Sequence, residues 1–221
     1  MSPVSAAERG PAARTRKLML ATTMALMQSG ITPSVSDVAE AAGVSRATAY
    51  RYFPSQAALV HAAVNEGLGP ILQWRSDSTD AEERIAELLK SSLPRFVEFE
   101  TTFKAALKLS LDQWARGQAG TLGPEPLFRR GSRIDVLQYA LAPLRGQLPR
   151  KHFLRLAKAL SLVYGLEVLL VLKDIWGASE RETRRIAEWT ARALIRAAIA
   201  DAPVKPAKTS GARRRAVSTS R

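Results

Sequence analysis

GVSRATAYRYFPSQ, residues 43–56, decides the fold of this chain. Gly43 breaks whatever helix precedes it. Ser45 can cap a short helix over about 46–52, Pro54 ends that helix, and Ser55 can cap the next one. Immediately upstream, Ser34 is a candidate N-cap and Asp37 lies three residues later, the spacing of a capping box. A second short helix therefore ends near Ala42. Two short helices joined by a tight glycine turn make a helix-turn-helix, and its packing asks for particular residues. Ala39 stands where the helices cross most closely. Gly43 allows the positive φ of the turn. Val38, Val44 and Ala49 fill the wedge between the helices, and Phe53 closes it toward the first helix, against Leu26.

The second of these helices is polar, which is what a helix lying in a DNA groove requires. Arg46 has the reach for a guanine edge, and Tyr50 can meet a thymine methyl or the backbone. Thr48 and Tyr52 carry hydroxyls on short or rigid stems suited to phosphate oxygens. Ser45 with its neighbouring backbone N–H groups, and Gln56 at the start of the following helix, are further phosphate candidates. Arg51 adds charge, and Ser34 and Ser36 stand at the start of the preceding helix. Arg14, Arg16 and Lys17 open the first helix, within reach of a flanking phosphate or the minor groove. The plainer alternative makes Arg46 and Arg51 solvated surface charges. Even then two tyrosines at i, i+2 cannot both face a core.

With these residues in view, GITPSVSDVAEAAGVSRATAYRYFPSQAALV resembles the N-terminal signature of the tetracycline-repressor (TetR) family of bacterial transcription regulators. Its marks are Val38-Ala39, Ala42-Gly43-Val44-Ser45, Thr48, Tyr50, Tyr52-Phe53 and Leu59. They cover about 45 of 221 residues. The resemblance implies an all-α homodimer that binds a double-stranded DNA operator. It also implies a variable C-terminal domain whose small-molecule effector lowers DNA affinity. By the same resemblance Ser36, Arg46, Thr48, Tyr50, Tyr52 and position 56 are contact positions. Position 56 departs from the pattern, because Gln56 stands where the family usually has lysine, and a charge-assisted phosphate contact is lost.

Composition agrees with helices throughout. The chain is 46% hydrophobic, Ala and Leu dominate, and few stretches alternate polar and apolar residues. The formal charge is +13, unevenly spread: residues 1–17 carry net +3, residues 205–221 net +6, and the body between them only +4. Basic ends on a nearly balanced body suit a polyanion. Cysteine is absent, and the two histidines, His61 and His152, are far apart, so neither a disulfide framework nor a metal site is expected, and no cofactor is called for. RTRKLMLATTMALMQSG looks like a signal peptide, but Thr22 and Thr23 interrupt its apolar run. Leu18, Ala21, Ala25 and Leu26 recur at helical spacing instead. No run approaches the ~18 apolar residues of a membrane span. A cytoplasmic, nucleoid-associated protein without membrane contact is expected. A helical enzyme has no support from a His–acid pair or a glycine-rich phosphate loop.

The expected organisation is all-α: a disordered arm over 1–13, a three-helix DNA-binding unit over 14–60, a ligand-binding and dimerisation domain over 61–202, and a disordered basic tail over 203–221. Helices are expected over about 14–29, 80–99 with a kink at Pro94, 101–116, 128–144, 150–175 and 179–200. GQAGTLGPEP, 117–126, reads as a mobile loop. Gly67–Pro70 is the expected joint between the two parts. Leu156, Leu160, Val163, Glu167, Leu170 and Asp174 form one stripe on the 150–175 helix, and Leu162, Leu166, Leu169 and Val171 widen it until the helix is apolar nearly all round and should be buried. Ile186, Trp189, Ala193, Ala197 and Ala200 form another. Leu156, Leu160, Val163, Leu170, Ile186, Trp189, Ala193 and Ala197 are the candidate dimer interface, as a four-helix bundle. A carboxylate inside YGLEVLLVL must be paired, protonated or solvated, so Glu167 is expected to meet a ligand or an arginine across the dimer. Phe99, Phe103, Leu107, Leu111, Trp114, Tyr139 and Glu167 are the candidate ligand contacts, for an apolar or aromatic effector. Phe96 belongs with them; Arg129, Arg130 and Arg133 at the loop exit can meet an anionic ligand, but a solvated basic turn is the favoured reading. The expected function is a sequence-specific DNA-binding regulator, a repressor released from an inverted-repeat operator by a small-molecule ligand; the alternatives are an architectural DNA binder without a ligand and an activator.

Overall fold

A computed structural model gives the fold and describes residues 10–128, 131 and 133–202. The basic tail, most of the N-terminal arm, and Arg129 and Arg130 lie outside these residues. Among the described residues every regular element is helical. Helix α1 (Pro11–Gln28) begins three residues earlier than expected. Pro11 sits in its first turn, where the missing N–H has no intrahelical partner to lose. Gly30 at φ 83° stops it. Helix α2 (Val35–Ala41) opens with the full capping box, since the Ser34 hydroxyl accepts from the Asp37 N–H and Asp37 accepts from the Ser34 N–H. Helix α3 (Arg46–Tyr52) is capped by Ser45, and α4 (Gln56–Leu68) by Ser55.

The α2–α3 wedge is apolar and closely packed. Val38, Ala39, Ala49 and Phe53 are buried, joined by Met19 of α1 and Leu59 of α4, with Leu26 and Val44 packed at the edge. Gly43 has φ 63°, and a Cβ there would meet nothing within 4 Å, so the turn needs glycine for its backbone angle and not for space. A second apolar cluster joins Leu20 and Met27 of α1, Val60 and Ala63 of α4, and Phe128 to Ala105, Ala106 and Leu109 of α6 (Glu100–Gln118). Helix α4 runs through the boundary expected after residue 60. Its first turns belong to the two N-terminal clusters, and Val64 and Leu68 pack on the larger core behind.

That core is built on α5 (Ala81–Glu98), which packs along α10 (Glu180–Ala200). Helix α5 runs through Pro94 as one element. Arg84, only 6% exposed, projects from its buried face. Its Nε donates to Ala140 O, Nη1 to Ser76 O and Ser78 O, and Nη2 to Tyr139 O, all at 2.9–3.0 Å. A cation thus ends α7 (Arg133–Ala140), where helix carbonyls lack partners. This is why α7 stops well before Leu144, and a 3-10 turn, Ala142–Leu144, follows.

The expected single helix over 150–175 is corrected to three pieces. Helix α8 (Arg150–Leu160) ends, residues 161–165 form a turn, and α9 (Leu166–Leu169) continues directly into a π-helical stretch, Leu170–Ile175. Gly165 at φ 117°, ψ −161° takes a conformation closed to side chains. The freed carbonyls of Ser161 and Tyr164 accept from Arg133 Nη1 at 3.1 and 3.2 Å, and Glu167 pairs with the same guanidinium at 2.6 and 2.9 Å. Glu167 is therefore paired with an arginine of its own chain. Leu162 is 73% and Val171 47% exposed, so this helix is not buried all round. Lys104 of α6 bridges Glu100 and Asp174, tying the π stretch to α6.

Tyr164, beside the break, is 3% exposed, and its hydroxyl meets Ser92 at 3.3 Å. Burial pushes the phenol up to about 12 from its ordinary 10. The folded state thus holds this proton more tightly than the unfolded chain. Its contribution is complete below pH 10 and is lost as pH rises from 10 to 12. Denaturant unfolding at pH 9 and pH 12, compared with Tyr164→Phe, should show up to about 2–3 kcal/mol of pH-dependent loss that the variant lacks.

Candidate nucleic-acid interface and adjoining cavity

The polar face of α3 is presented to solvent by the burial of Ala49 beneath it. Arg46, Arg51 and Ser45 are exposed, Tyr50 is 46% exposed, and Thr48 and Tyr52 are half-buried. The Ser45 hydroxyl accepts from the Thr48 N–H at 3.3 Å and donates to Thr48 Oγ1 at 3.0 Å, which fixes the Thr48 rotamer. Ser36 and Tyr50 hydroxyls stand 3.4 Å apart, linking α2 to the reading helix. Arg51 stacks on its neighbour Tyr52 at 5.5 Å. Arg14 and Lys17 are exposed on α1, and Arg16 lies over the Phe53 ring at 5.5 Å, against the end of α3. Ser34 is occupied as a cap.

Gln56 has a different local task. Its Nε2 donates to Thr32 O at 3.2 Å and Pro33 O at 3.1 Å, pinning the start of α4 to the α1–α2 turn. Thr32 in turn donates to Ala105 O of α6 at 3.3 Å. The amide thus serves the packing of the unit. Gln56→Lys should restore a phosphate contact and steepen the slope of log affinity against log salt by about 0.9 per half-site, read by fluorescence anisotropy across a salt series. An unchanged slope would mean that the position lies away from the phosphates.

Behind α4 lies a cavity. Its walls include His61, Val64 and Leu68 of α4, Phe96 of α5, Phe103 and Ala106 of α6, Phe128, Arg133, Tyr164 and Leu166. It is mainly apolar and aromatic. Of the expected ligand contacts, Phe103 lines it. Phe99 lies beside it under the Arg95 guanidinium, and Leu107 packs on the core. Tyr139 is engaged elsewhere, edge-on to Trp74 and beneath Arg84. Leu111 and Trp114, 55% and 65% exposed, fall outside it. The reason is the rotation of α6. Its buried residues are Thr102, Phe103, Ala105, Ala106, Leu109 and Gln113, because the two alanines let α1 and α4 approach closely. Sequence reading missed His61, Val64, Leu68 and Phe128. Phe128 is delivered from a distance: the buried Gln113 amide donates to Pro126 O at 3.2 Å and accepts from the Phe128 N–H at 2.7 Å.

The candidate dimer residues divide into two sets. Leu156 and Leu160 are buried in the core of the chain itself, which corrects their assignment to an outer face. Val163, Leu170 and Ile186 are half-buried, while Trp189 is 72% exposed and Ala193 and Ala197 are exposed. Helix α10 turns Thr183, Ala187, Ala191, Ile195 and Ala198 inward and leaves that outer face free.

Residues 18–63 match the sequence pattern of the bacterial regulatory proteins of the tetR family. The match spans the wedge, the glycine turn, the reading helix and the first half of α4. Over these residues the chain is similar to the DNA-binding part of that family. No curated protein matches the chain. The solved structure of a putative TetR-family transcriptional regulator from Mesorhizobium loti MAFF303099 is similar in fold. Its TM-score is 0.55 at 16% identity, over 86% of this chain and 98% of that one. No helix among the described residues is long and apolar enough to cross a membrane.

Proposed function

We propose that the protein is a homodimeric repressor that leaves an inverted-repeat operator when a small molecule occupies the cavity. The observation that carries this is the span of α4. One rigid helix begins beside the reading unit at Gln56 and lines the cavity with His61, Val64 and Leu68. A ligand that moves those three side chains moves the helix to which the α2–α3 wedge is packed through Leu59. Two reading helices held one DNA turn apart then lose their match to successive major grooves. The joint is Gly67–Pro70. There α4 gives way to a 3-10 turn at Gly69, φ 47°, and Arg95 of α5 holds the Gly67 and Glu66 carbonyls at 2.9 and 3.3 Å. Arg46 and Tyr50 are the base readers. Arg14, Lys17, Ser36, Ser45, Thr48, Arg51 and Tyr52 anchor phosphates.

Footprinting upstream of the gene that encodes the protein, with and without candidate effectors, tests the reading. Arg46→Ala should weaken the specific site about 5- to 150-fold and relax preference at one base in each half-site. A uniform loss on specific and random DNA would instead assign Arg46 to the phosphate backbone. Equal affinity of the unaltered protein for operator and random DNA would favour an architectural binder.

A further inference from the structure

We propose that the cavity takes a carboxylate-bearing amphipathic molecule, seated by the Nε–Nη2 edge of Arg133. This rests on the reading of the cavity as an effector site and names the chemistry of its ligand.

The argument begins with the donors of Arg133. A guanidinium has five N–H groups and two edges that match a carboxylate. In Arg133 the Nη1 donors go to Ser161 O and Tyr164 O, and one Nη2 donor goes to Glu167 Oε1. Glu167 Oε2 lies 2.6 Å from Nη1, so the Glu167 carboxylate covers the end-on edge, between the two terminal nitrogens. What remains is Nε–H with the second Nη2–H. These two parallel donors form the side-on edge, and they have no acceptor among the described residues. The guanidinium cannot swing away to find one, because the helix break holds it. A Cβ at Gly165 would lie 3.1 Å from Arg133 Cζ, so the chain keeps a glycine where the guanidinium passes.

Arg133 is also part of the cavity wall, together with Gly165. Apart from His61, the wall around it is apolar or aromatic: Val64, Leu68, Phe96, Phe103 and Phe128. Such a lining disfavours a free phosphate or another small dianion, which would leave its hydration shell for a largely hydrocarbon surface. It suits a monoanion whose charge is confined to one planar end and whose body is hydrocarbon. The carboxylate then meets two N–H groups in its own plane, and the body lies against the phenylalanines. His61, Leu72 and Gly131, the exposed members of the wall, mark the mouth through which such a molecule enters.

The experiment is calorimetric titration of the full-length protein with matched acid and amide pairs: phenylacetate and phenylacetamide, 1-naphthoate and 1-naphthamide, decanoate and decanamide. At least one acid should bind about 10-fold or more tightly than its own amide. Arg133→Met should bring that ratio close to 1 while leaving the amide within about threefold. Because Arg133 also stabilises the helix break, Arg133→Lys is measured beside it. It keeps the charge but loses the paired edge, and a ratio between the two is expected. Three outcomes overturn the proposal: no acid preference, an acid preference that survives Arg133→Met in folded protein, or no binding by any probe. The titration contains no DNA. A missing acid preference therefore leaves operator recognition untouched. An acid that binds through Arg133 without releasing DNA would sink the effector reading and keep the carboxylate site.

Discussion

Arg84→Met should lower the unfolding free energy by about 3–5 kcal/mol, the largest loss expected from any single surface-preserving change in the chain. Methionine fills similar space and removes the buried charge, so the effect reads the contacts of the guanidinium without opening a large cavity. Four carbonyls lose a charged donor: Ser76 and Ser78 in the α4–α5 connection, and Tyr139 and Ala140 at the end of α7. Two of these close a helix, where no N–H of the helix itself is available. The rings of Trp74 and Tyr139, 5.9 and 4.7 Å from the guanidinium, lose their cation as well. Denaturant unfolding followed by circular dichroism reads the change, and a Tm drop of roughly 10 °C should accompany it. Arg84→Lys should recover less than half, since one ammonium cannot span four acceptors on two segments. A loss under 1 kcal/mol for Arg84→Met would show that these carbonyls find other donors.

Trp189→Asp should produce monomers and reduce operator affinity about 10²- to 10⁴-fold, because a dimer presents its second reading helix at high effective concentration and a monomer does not. The outer face of α10 carries Trp189 with Ala193 and Ala197, and Ile175 and Trp176 at the end of the π stretch are 75% and 77% exposed. Large apolar side chains this open to water are what a subunit interface covers. An aspartate in the middle of the face would be buried without a partner on association. Sedimentation velocity and an operator band shift, run on the same preparation, check the two halves of the prediction. A dimer that survives with Trp189→Asp would place the interface elsewhere.

How much of this was legible in the sequence follows from how local each cause is. The Ser34–Asp37 box, the Gly43 turn, the Ser45 and Ser55 caps and the Ala39 wedge each depend on residues within a few positions, and each is where the spacing put it. The helix break at 161–165 depends on Arg133, some thirty residues upstream. The stripe from Leu156 to Asp174 keeps helical spacing straight through the break, so periodicity could not reveal it. A signal did exist, a glycine placed between two apolar helical runs, and it carried less weight than the stripe. Arg84 occupies the same face as Ala81, Ile85, Leu88 and Leu89. An arginine in phase with a buried face marks an internal donor, but in AEERIAELL it passes for one more surface charge. On α6 the two possible faces differ mainly in residue size. Large side chains suggested Phe103, Leu107, Leu111 and Trp114 as the inner face, whereas close approach of α1 and α4 required the alanines. Gln56 departs from the family pattern, and its tie to Thr32 and Pro33 supplies a local reason for an amide there.

The grip of Gln113 on Pro126 and Phe128 has a consequence for how this protein can change over generations. The segment after α6 is held at its far end by the buried Gln113 amide and by the Arg116–Glu125 ion pair at 2.6 Å, so Phe128 reaches the cavity wall whatever the path taken before them. Closing a longer loop is entropically cheap, about 0.6 kcal/mol for each doubling of length. Insertions and deletions between Gly120 and Glu125 should therefore be tolerated, and this stretch can drift in length and composition while the aromatic wall stays in place. Gln113 itself has no such freedom: losing it would release the loop and the wall together.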